Sequence, residues 1–266
     1  MDLAQRAGAL VVAIRQQGLE VDYKAGQEPV TRADREASTA IVDGLTRAFP
    51  ADVVISEELE VDPRRVVVSR VWYVDPIDGT RDYIRGDDGF AVMIGLCVDG
   101  VPTLGVVHQP TRARTYFAAP QVPAQVTDGQ GTQPLQVSGT DDPAQIRLAA
   151  SASHRSADID RVKDQLGIRD ELNVGSVGLK LCLIAAGSRD LYVNPAAKTK
   201  AWDTCAPEAI LNAAGGQLSD LYGRPVDYRA EDLRHHFGLV GSNKVLHPRV
   251  IEQLTLLFPR GSLAPA

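Results

Sequence analysis

The chain has 266 residues, of which 44% are hydrophobic and 23% charged, with a formal net charge of −6. This size fits one large domain or two small ones with an ordinary globular core. The negative charge and the lack of a long apolar run argue against a nucleic-acid partner, an anionic membrane surface or a membrane span.

Helical and strand patterns alternate in the first half of the chain. Apolar residues recur at helical spacing from Leu3 to Ile14 and again from Ala37 to Ala48. Apolar runs predict strands at 53–55, 71–74, 90–98, 101–108 and 115–118. The charged segment 59–70 is predicted to be an exposed connection.

The second half alternates more regularly and suggests a second lobe. Strands are predicted at 147–151, 172–174, 191–193 and 237–240. Helices are predicted at 158–166, 177–186, 204–214 and 245–257. Segment 120–143, rich in Pro, Gly, Gln and Thr, is the best candidate for a boundary between the lobes. We therefore predict an α+β fold with an N-terminal α+β lobe at 1–136, which carries the antiparallel sheet, and a C-terminal α/β lobe at 137–266.

The cysteines and the N-terminal residues indicate in which cellular compartment the protein is expected. The three cysteines, Cys97, Cys182 and Cys205, are far apart and include no Cys-x-x-Cys pair. They are predicted to be buried free thiols in a reducing compartment. Polar residues interrupt the first apolar stretch, so no signal peptide is predicted. We expect a soluble, cytoplasmic protein.

Two carboxylates come together at the end of a predicted strand. The strand 71–74 runs into Asp75-Pro76-Ile77-Asp78-Gly79-Thr80. Anions this close repel each other, so either one stays protonated or a cation lies between them. Glu57 follows another predicted strand, and Asp203 lies directly before a predicted helix. Carboxylates in turns on rigid elements suit Mg²⁺, whereas the lack of a His-x-x-x-His or Cys pair does not favour zinc.

Taken one at a time, these acidic residues have structural interpretations. Asp203 suits a helix N-cap, and Asp34, three residues after Thr31, suits a capping box. Glu57 fits a solvated loop charge, and Asp75 fits a turn. His235-His236 is predicted to lie in a solvated loop without an acidic partner at ligand spacing. The conjunction of the acidic positions, rather than any single one, favours a metal site.

The complete pattern resembles a known family. Asp-Pro-Ile-Asp-Gly-Thr at 75–80, with Ser-Glu-Glu at 56–58 and Trp-Asp at 202–203, resembles the inositol monophosphatase superfamily of lithium-sensitive, Mg²⁺-dependent phosphatases. The resemblance covers nearly the whole chain. It implies a layered αβαβα sandwich, like that of fructose-1,6-bisphosphatase.

The resemblance also implies roles for the acidic residues. Glu57, Asp75 and the carbonyl of Ile77 would hold the first metal, and Asp75, Asp78 and Asp203 would hold the second. Two or three Mg²⁺ ions are expected in each site.

The resemblance implies a catalytic pair, and the local chain geometry adds a phosphate-binding role. Asp34 and Thr80 match the catalytic pair that polarises the attacking water. Gly79 and Thr80 would open a short helix whose free N–H groups bind phosphate.

The second half narrows the substrate class. Segments 79–86 and 200–211 are similar to those of the 3′(2′),5′-bisphosphate nucleotidases, which remove the 3′-phosphate of adenosine 3′,5′-bisphosphate. Inositol phosphatases carry a carboxylate shortly before Trp-Asp, whereas segment 195–200 has Lys198 and Lys200. Lysines suit a second phosphate better than they suit neutral hydroxyls.

The nucleotidase resemblance implies further substrate contacts. They are Ser151, His154, Ser176 and Lys180, although His154 and Lys180 taken singly fit surface charges. Asn194 stands where some nucleotidases carry arginine. The substrate is expected to be a small phosphate ester, in the first place a nucleotide, with inositol or sugar phosphates as the alternative substrates. A non-catalytic metal- or nucleotide-binding regulator is a further alternative, and the sequence leaves monomer and homodimer open.

Overall fold

The computed structural model describes residues 1–24, 28–151 and 157–261. The helices are α1 Asp2–Gln17, α2 Arg32–Ala48, α3 Thr80–Arg85, α4 Ala157–Leu166, α5 Val177–Ala185, α6 Ala201–Ala213 and α7 His247–Leu257. The strands are β1 Val21–Tyr23, β2 Pro29–Thr31, β3 Val53–Ser56, β4 Arg70–Asp78, β5 Ala91–Val98, β6 Val101–Gln109, β7 Arg114–Ala119, β8 Val122–Asp128, β9 Gly131–Pro134, β10 Arg147–Ser151, β11 Asp170–Val174, β12 Leu191–Asn194, β13 Gln217–Ser219 and β14 Leu239–Ser242.

The first large sheet has seven strands in the order β3-β4-β5-β6-β7-β8-β9. The pair β3 and β4 is parallel, and each later pair is antiparallel. Strands β8 and β9 lie within segment 120–143, where the sequence analysis predicted no strand. Strand β9 is exposed along its length, so its residues carry no alternating hydrophobic signal.

The second sheet has five strands in the order β11-β10-β12-β14-β13. Strand β10 is parallel to both β11 and β12, whereas β14 is antiparallel to its two neighbours. Helices α5 and α6 pack between the two sheets, α1 and α2 cover the outer face of the first, and α4 and α7 cover the second. The order of layers is therefore α, β, α, β, α, which confirms the predicted α+β layered sandwich.

Helix α6 lies directly against β5 and β6 because two strand glycines leave room for its backbone. A Cβ atom on Gly95 would approach Ala206 N to 2.6 Å, and one on Gly105 would approach Ala206 O to 2.0 Å. Any side chain there would push the helix away from the sheet. This close packing fixes the first turn of α6, which contains Asp203, relative to the first sheet.

Three sequence predictions about local structure differ from the fold. Helix α6 begins at Ala201, so Asp203 is its third residue and not its N-cap. Strand β13 was not predicted. Segment 59–70 is not wholly exposed, because Arg65 is buried and its Nη2 donates to Ala230 O at 2.7 Å and to Glu231 O at 2.5 Å. These partners are more than 160 residues away in the chain, beyond any local signal.

The cysteines and the lengths of the helices can be compared directly with the sequence predictions. Cys97, Cys182 and Cys205 are buried and free, as predicted. Among the described residues, none of the helices combines the length and the apolar character needed to cross a bilayer.

Candidate metal centre and active site

Three carboxylates converge where β4 ends beside the start of α6. One oxygen from each of Asp75, Asp78 and Asp203 lies within 4.8 Å of the other two. Asp75 and Asp78 are 1% and 6% exposed, and Asp203 is partly buried. The pairing of β4 with β5 shifts register between Asp75 and Asp78, which lets both side chains turn toward the same point.

The electrostatics of this group favour a bound cation. Burial, together with the charges of Glu57, Asp78 and Asp203, raises the pKa of Asp75 well above its usual value. Burial and the charges of Asp78 and Glu57 likewise raise the pKa of Asp203. Anionic oxygens crowded in a poorly solvated space fit a hard metal ion that takes oxygen ligands. The residues present therefore form a cluster that could hold metal.

Each carboxylate in the cluster is oriented through one of its oxygens. Asp78 Oδ2 accepts hydrogen bonds from Ser176 Oγ at 2.5 Å and from Gly178 N at 2.7 Å. Asp75 Oδ1 accepts from Ile77 N at 3.0 Å, and Asp203 Oδ2 accepts from Lys200 N at 2.6 Å. These donors fix the orientation of the three carboxylates before any ligand binds.

Glu57 lies beside the cluster and is paired with a lysine that the sequence analysis missed. Its backbone N–H donates to Val74 O at 3.1 Å, which attaches it to β4. Lys24 Nζ contacts Glu57 Oε1 at 3.0 Å and Glu58 Oε1 at 2.5 Å. Burial lowers the pKa of Lys24, but the two carboxylates together raise it by more, so this pKa lies above its usual value. No motif surrounds Lys24, and its partners are 33 and 34 residues away, so sequence patterns gave no signal for this pair.

Asp34 both caps a helix and faces Thr80. Its Oδ2 accepts hydrogen bonds from Thr31 N at 2.7 Å and Thr31 Oγ1 at 2.6 Å, which forms the capping box of α2. Its Oδ1 lies 3.4 Å from Thr80 Oγ1, which is also 3.1 Å from Ile77 O. Burial raises the pKa of Asp34 to about 6, against the opposing hydrogen bonds from Thr31. The two interpretations of Asp34 are compatible because they use different oxygens.

Gly79 occupies a position that excludes a side chain. Its φ of 96° is left-handed, and a Cβ atom there would approach Gly89 O to 2.7 Å. Helix α3 begins at the next residue, Thr80. The glycine therefore lets the chain turn sharply from Asp78 into α3.

Two of the predicted substrate contacts lie in the interior. Ser176 is the N-cap of α5, and its hydroxyl is bonded to Asp78. Lys180 is 1% exposed, and its Nζ donates to Val174 O at 3.0 Å and Gly175 O at 2.9 Å. Burial lowers the pKa of Lys180 to about 8, although Asp78 and other carboxylates oppose the shift. In this arrangement both side chains contact protein groups: Ser176 contacts the carboxylate cluster through Asp78, and Lys180 contacts backbone carbonyls.

The remaining predicted contacts lie in the second lobe. Ser151 ends β10 opposite Val174, while His154 lies outside the described residues. Lys198 is exposed. Lys200 Nζ lies 5.0 Å from the centroid of the Trp202 ring and 3.7 Å from Glu28 Oε2.

The prediction of a solvated, unpartnered histidine pair at 235–236 was wrong. His235 Nε2 lies 2.9 Å from Thr204 Oγ1 on α6. His236 Nε2 lies 2.7 Å from Asp232 Oδ2. The turn that folds this loop against α6 depends on tertiary packing, which local sequence does not reveal.

Comparison with known proteins gives a consistent result. The model of the inositol monophosphatase family matches residues 1–256. The 3′(2′),5′-bisphosphate nucleotidase CysQ of Escherichia coli is 37% identical over 232 residues, covering 85% of this chain and 91% of that protein. The histidinol-phosphatase of Mycobacterium tuberculosis is 32% identical and covers 95% of each chain. Among solved structures, the IMPase of Thermotoga maritima superposes with a TM-score of 0.81 at 25% identity, covering 96% of this chain and 95% of that one.

Proposed function

This chain belongs to the inositol monophosphatase family and is a phosphoric monoester hydrolase, and we propose that it removes the 3′-phosphate of adenosine 3′,5′-bisphosphate with Mg²⁺ as its cofactor. The products would be adenosine 5′-monophosphate and inorganic phosphate. The observation that carries the choice of substrate is the basic segment that leads into Asp203. Lys200 donates its backbone N–H to the Asp203 carboxylate, so a lysine side chain leaves the backbone right beside the proposed metal ligands.

The residues of the proposed metal site divide into two groups. Asp75, Asp78 and Asp203 would hold one ion between their carboxylates. Glu57, Asp75 and the carbonyl of Ile77 would hold a second ion. When bound, Mg²⁺ would supply positive charge that acidifies water and offsets negative charge on the phosphoryl oxygens.

The proposed chemistry uses Thr80 and Asp34 for proton transfer. Thr80 Oγ1 would accept a hydrogen bond from the attacking water and pass its own proton to Asp34 Oδ1, 3.4 Å away. The water oxygen forms a bond to phosphorus as the bond to the 3′-oxygen breaks in line with it. The 3′-oxygen then takes a proton from solvent. Since the pKa of Asp34 is about 6, this carboxylate is mostly ionised at neutral pH and can accept the proton.

A second candidate is supported by the relative from M. tuberculosis, which matches a larger share of this chain than CysQ does. Histidinol phosphate carries an ammonium group in place of a second phosphate. The cationic side chains of Lys198 and Lys200 would repel that group, so we rank this substrate, with inositol and sugar phosphates, below the nucleotide. A purely regulatory role is disfavoured because the acidic positions of the cluster are complete.

The test measures phosphate release from adenosine 3′,5′-bisphosphate, inositol 1-phosphate, fructose 1,6-bisphosphate and histidinol phosphate with Mg²⁺ present. We expect the highest kcat/KM for the nucleotide. The double variant Lys198→Gln/Lys200→Gln should lose this preference while retaining turnover of inositol 1-phosphate. The matched control is Lys244→Gln, which changes an exposed lysine in the loop after β14. A higher kcat/KM for any of the other three substrates would overturn the assignment.

A further inference from the structure

A two-residue bridge joins the basic segment to a distant loop. Lys200 and Arg234 form an isolated antiparallel β-bridge. Ala201 N donates to Leu233 O at 2.9 Å, and His235 N donates to Thr199 O at 2.9 Å. These hydrogen bonds flank the bridge, so Lys200 and Arg234 form a non-hydrogen-bonded pair. In such pairs the two side chains leave the same face and come closest together.

Arg234 forms no salt bridge with a described residue, although its backbone N–H and, to a smaller extent, its charge contribute to lowering the pKa of Asp232. Its side chain is exposed. The nearby carboxylate of Asp232 accepts the backbone N–H of Arg234 at 3.0 Å through Oδ1, and its Oδ2 is bonded to His236. Lys200 and Arg234 repel each other where they lie side by side. Glu28 Oε2, 3.7 Å from Lys200 Nζ, offsets part of this charge, and an anionic ligand bound between the two cations would offset the rest.

The loop that carries Arg234 is fixed at several points. Tyr73 Oη donates to Tyr228 O at 2.8 Å, and Arg65 binds the carbonyls of Ala230 and Glu231. His235, the neighbour of Arg234, is bonded to Thr204 on α6. The backbone of Arg234 is therefore held in register with the start of α6, and little ordering of the loop is needed when a ligand binds.

The bridge lies next to the carboxylate cluster. Its Lys200 donates a backbone hydrogen bond to Asp203, one of the clustered carboxylates. The Lys200 side chain reaches toward Glu28, which directly precedes β2 of the first lobe. A substrate whose reacting phosphate lies at the carboxylate cluster could therefore reach the Lys200–Arg234 pair with another of its groups.

We propose that Arg234 is a specificity-determining residue, which with Lys200 binds the phosphate of the substrate that is not hydrolysed. This inference rests on the proposed function, in which that group is the 5′-phosphate of adenosine 3′,5′-bisphosphate. A guanidinium presents a planar fork of donors that matches two phosphate oxygens, which the point charge of a lysine does not. In a chain with a net charge of −6, a local cluster of cations is also needed to attract a polyanion.

The experiment compares two nucleotides that differ only in the 5′-phosphate. Adenosine 3′,5′-bisphosphate and adenosine 3′-monophosphate are hydrolysed by the wild type, Arg234→Gln and Arg234→Lys with Mg²⁺ present. For Arg234→Gln we expect KM for the bisphosphate to rise about tenfold, equivalent to about 1.4 kcal/mol, with kcat unchanged. The monophosphate should show no change, and Arg234→Lys should restore part of the loss. The matched control is Arg229→Gln in the same loop, where the arginine is paired with Asp99.

The outcomes separate this inference from the function on which it rests. If the wild type prefers the bisphosphate and Arg234→Gln keeps that preference, Arg234 is not part of the subsite. An equal rise in KM for both nucleotides would also overturn its specificity role. If the wild type hydrolyses both nucleotides with equal kcat/KM, the second phosphate is not recognised and the inference fails, whereas the proposed function fails only if one of the three non-nucleotide substrates is preferred.

Discussion

The candidate site has an acidic end, formed by Asp75, Asp78 and Asp203, and a cationic end, formed by Lys198, Lys200 and Arg234, and the fold holds the two in different ways. Asp75 and Asp78 end a buried strand, and hydrogen bonds from protein groups orient their carboxylates. Lys198 and Arg234 have exposed side chains, and only the backbone of the Arg234 loop is firmly attached. Fixed geometry suits bond breaking, because the reacting atoms must be aligned closely. Long cationic side chains suit recognition, because a charge attracts over a distance and tolerates small displacements.

This difference predicts that substitutions at the acidic end change kcat, whereas substitutions at the cationic end change KM. The predictions below test this division, beginning with the largest effect.

Removing one charge from the cluster should nearly abolish turnover. In Asp78→Asn the amide oxygen can still accept the hydrogen bonds from Ser176 and Gly178, so the fold should be retained. We expect kcat to fall about 10³-fold or more, because a group that stabilises the transition state is weakened at the reacting centre. Steady-state kinetics and the melting temperature of the same preparation check this. Asp43→Asn, which changes an exposed carboxylate on α2, is the control, and unchanged turnover in Asp78→Asn would remove this residue from the mechanism.

Substitution of Lys180 tests whether this buried cation stabilises the fold near Asp78 or contacts the substrate directly. Lys180→Met leaves the carbonyls of Val174 and Gly175 without their donor and removes a positive charge near Asp78. We expect the free energy of unfolding to fall by about 2–4 kcal/mol, as measured by urea denaturation. Lys244→Met should change it little, because that side chain is exposed. Unchanged stability with a raised KM would instead favour the direct substrate contact that the sequence predicted.

Mg²⁺ should stabilise the protein through the acidic end. The clustered carboxylates repel one another, so an ion that binds only the folded state raises its stability, by about 2.7 kcal/mol at one hundred times the Kd. Thermal unfolding across a Mg²⁺ titration should show a rising melting temperature in the wild type. The rise should persist in Arg234→Gln and shrink in Asp203→Asn. A flat titration of the wild type would count against the metal site.

A smaller effect, on the pH dependence of stability, should arise from Glu208, which contacts the loop that carries Arg234. Glu208 on α6 accepts a hydrogen bond from Tyr228 Oη at 2.6 Å, and burial raises the pKa of Glu208 to about 7. Because the folded state holds this proton more tightly than the unfolded state, the stabilisation is present in full below the ordinary pKa near 4.5 and is lost as pH rises through about 7.

Glu208→Gln removes this titration while keeping an oxygen for Tyr228. Relative to the wild type, we expect the stability of Glu208→Gln to improve by about 2.5 kcal/mol between pH 5 and pH 8. Melting temperatures measured at both pH values give the comparison. A difference between the two proteins that does not change with pH would show that Glu208 keeps one charge state across this range.

The sequence predicted the layered fold and the acidic residues because their signals are local. Asp75 and Asp78 are three positions apart at the end of an apolar run, so a single strand end brings them together. Hydrophobic periodicity likewise predicted the order of helices and strands, except for polar elements such as β9. The inclusion of Asp203 in the same site came from the family resemblance, since no local pattern links it to β4.

Only the tertiary structure decided which distant charges meet. Lys24 contacts Glu57, and Arg234 pairs with Lys200, yet neither pair has a spacing or motif that identifies it. Sequence also marked Lys180 as a functional position, but its burial among backbone carbonyls decided what its ammonium group contacts. The reason is physical: strand ends and helix caps are set by neighbouring residues, whereas charge pairing and burial depend on how separate elements pack. The sequence by itself therefore determined a phosphatase of this family, and the packing of α6 against the loop before β14 brought Arg234 beside Lys200.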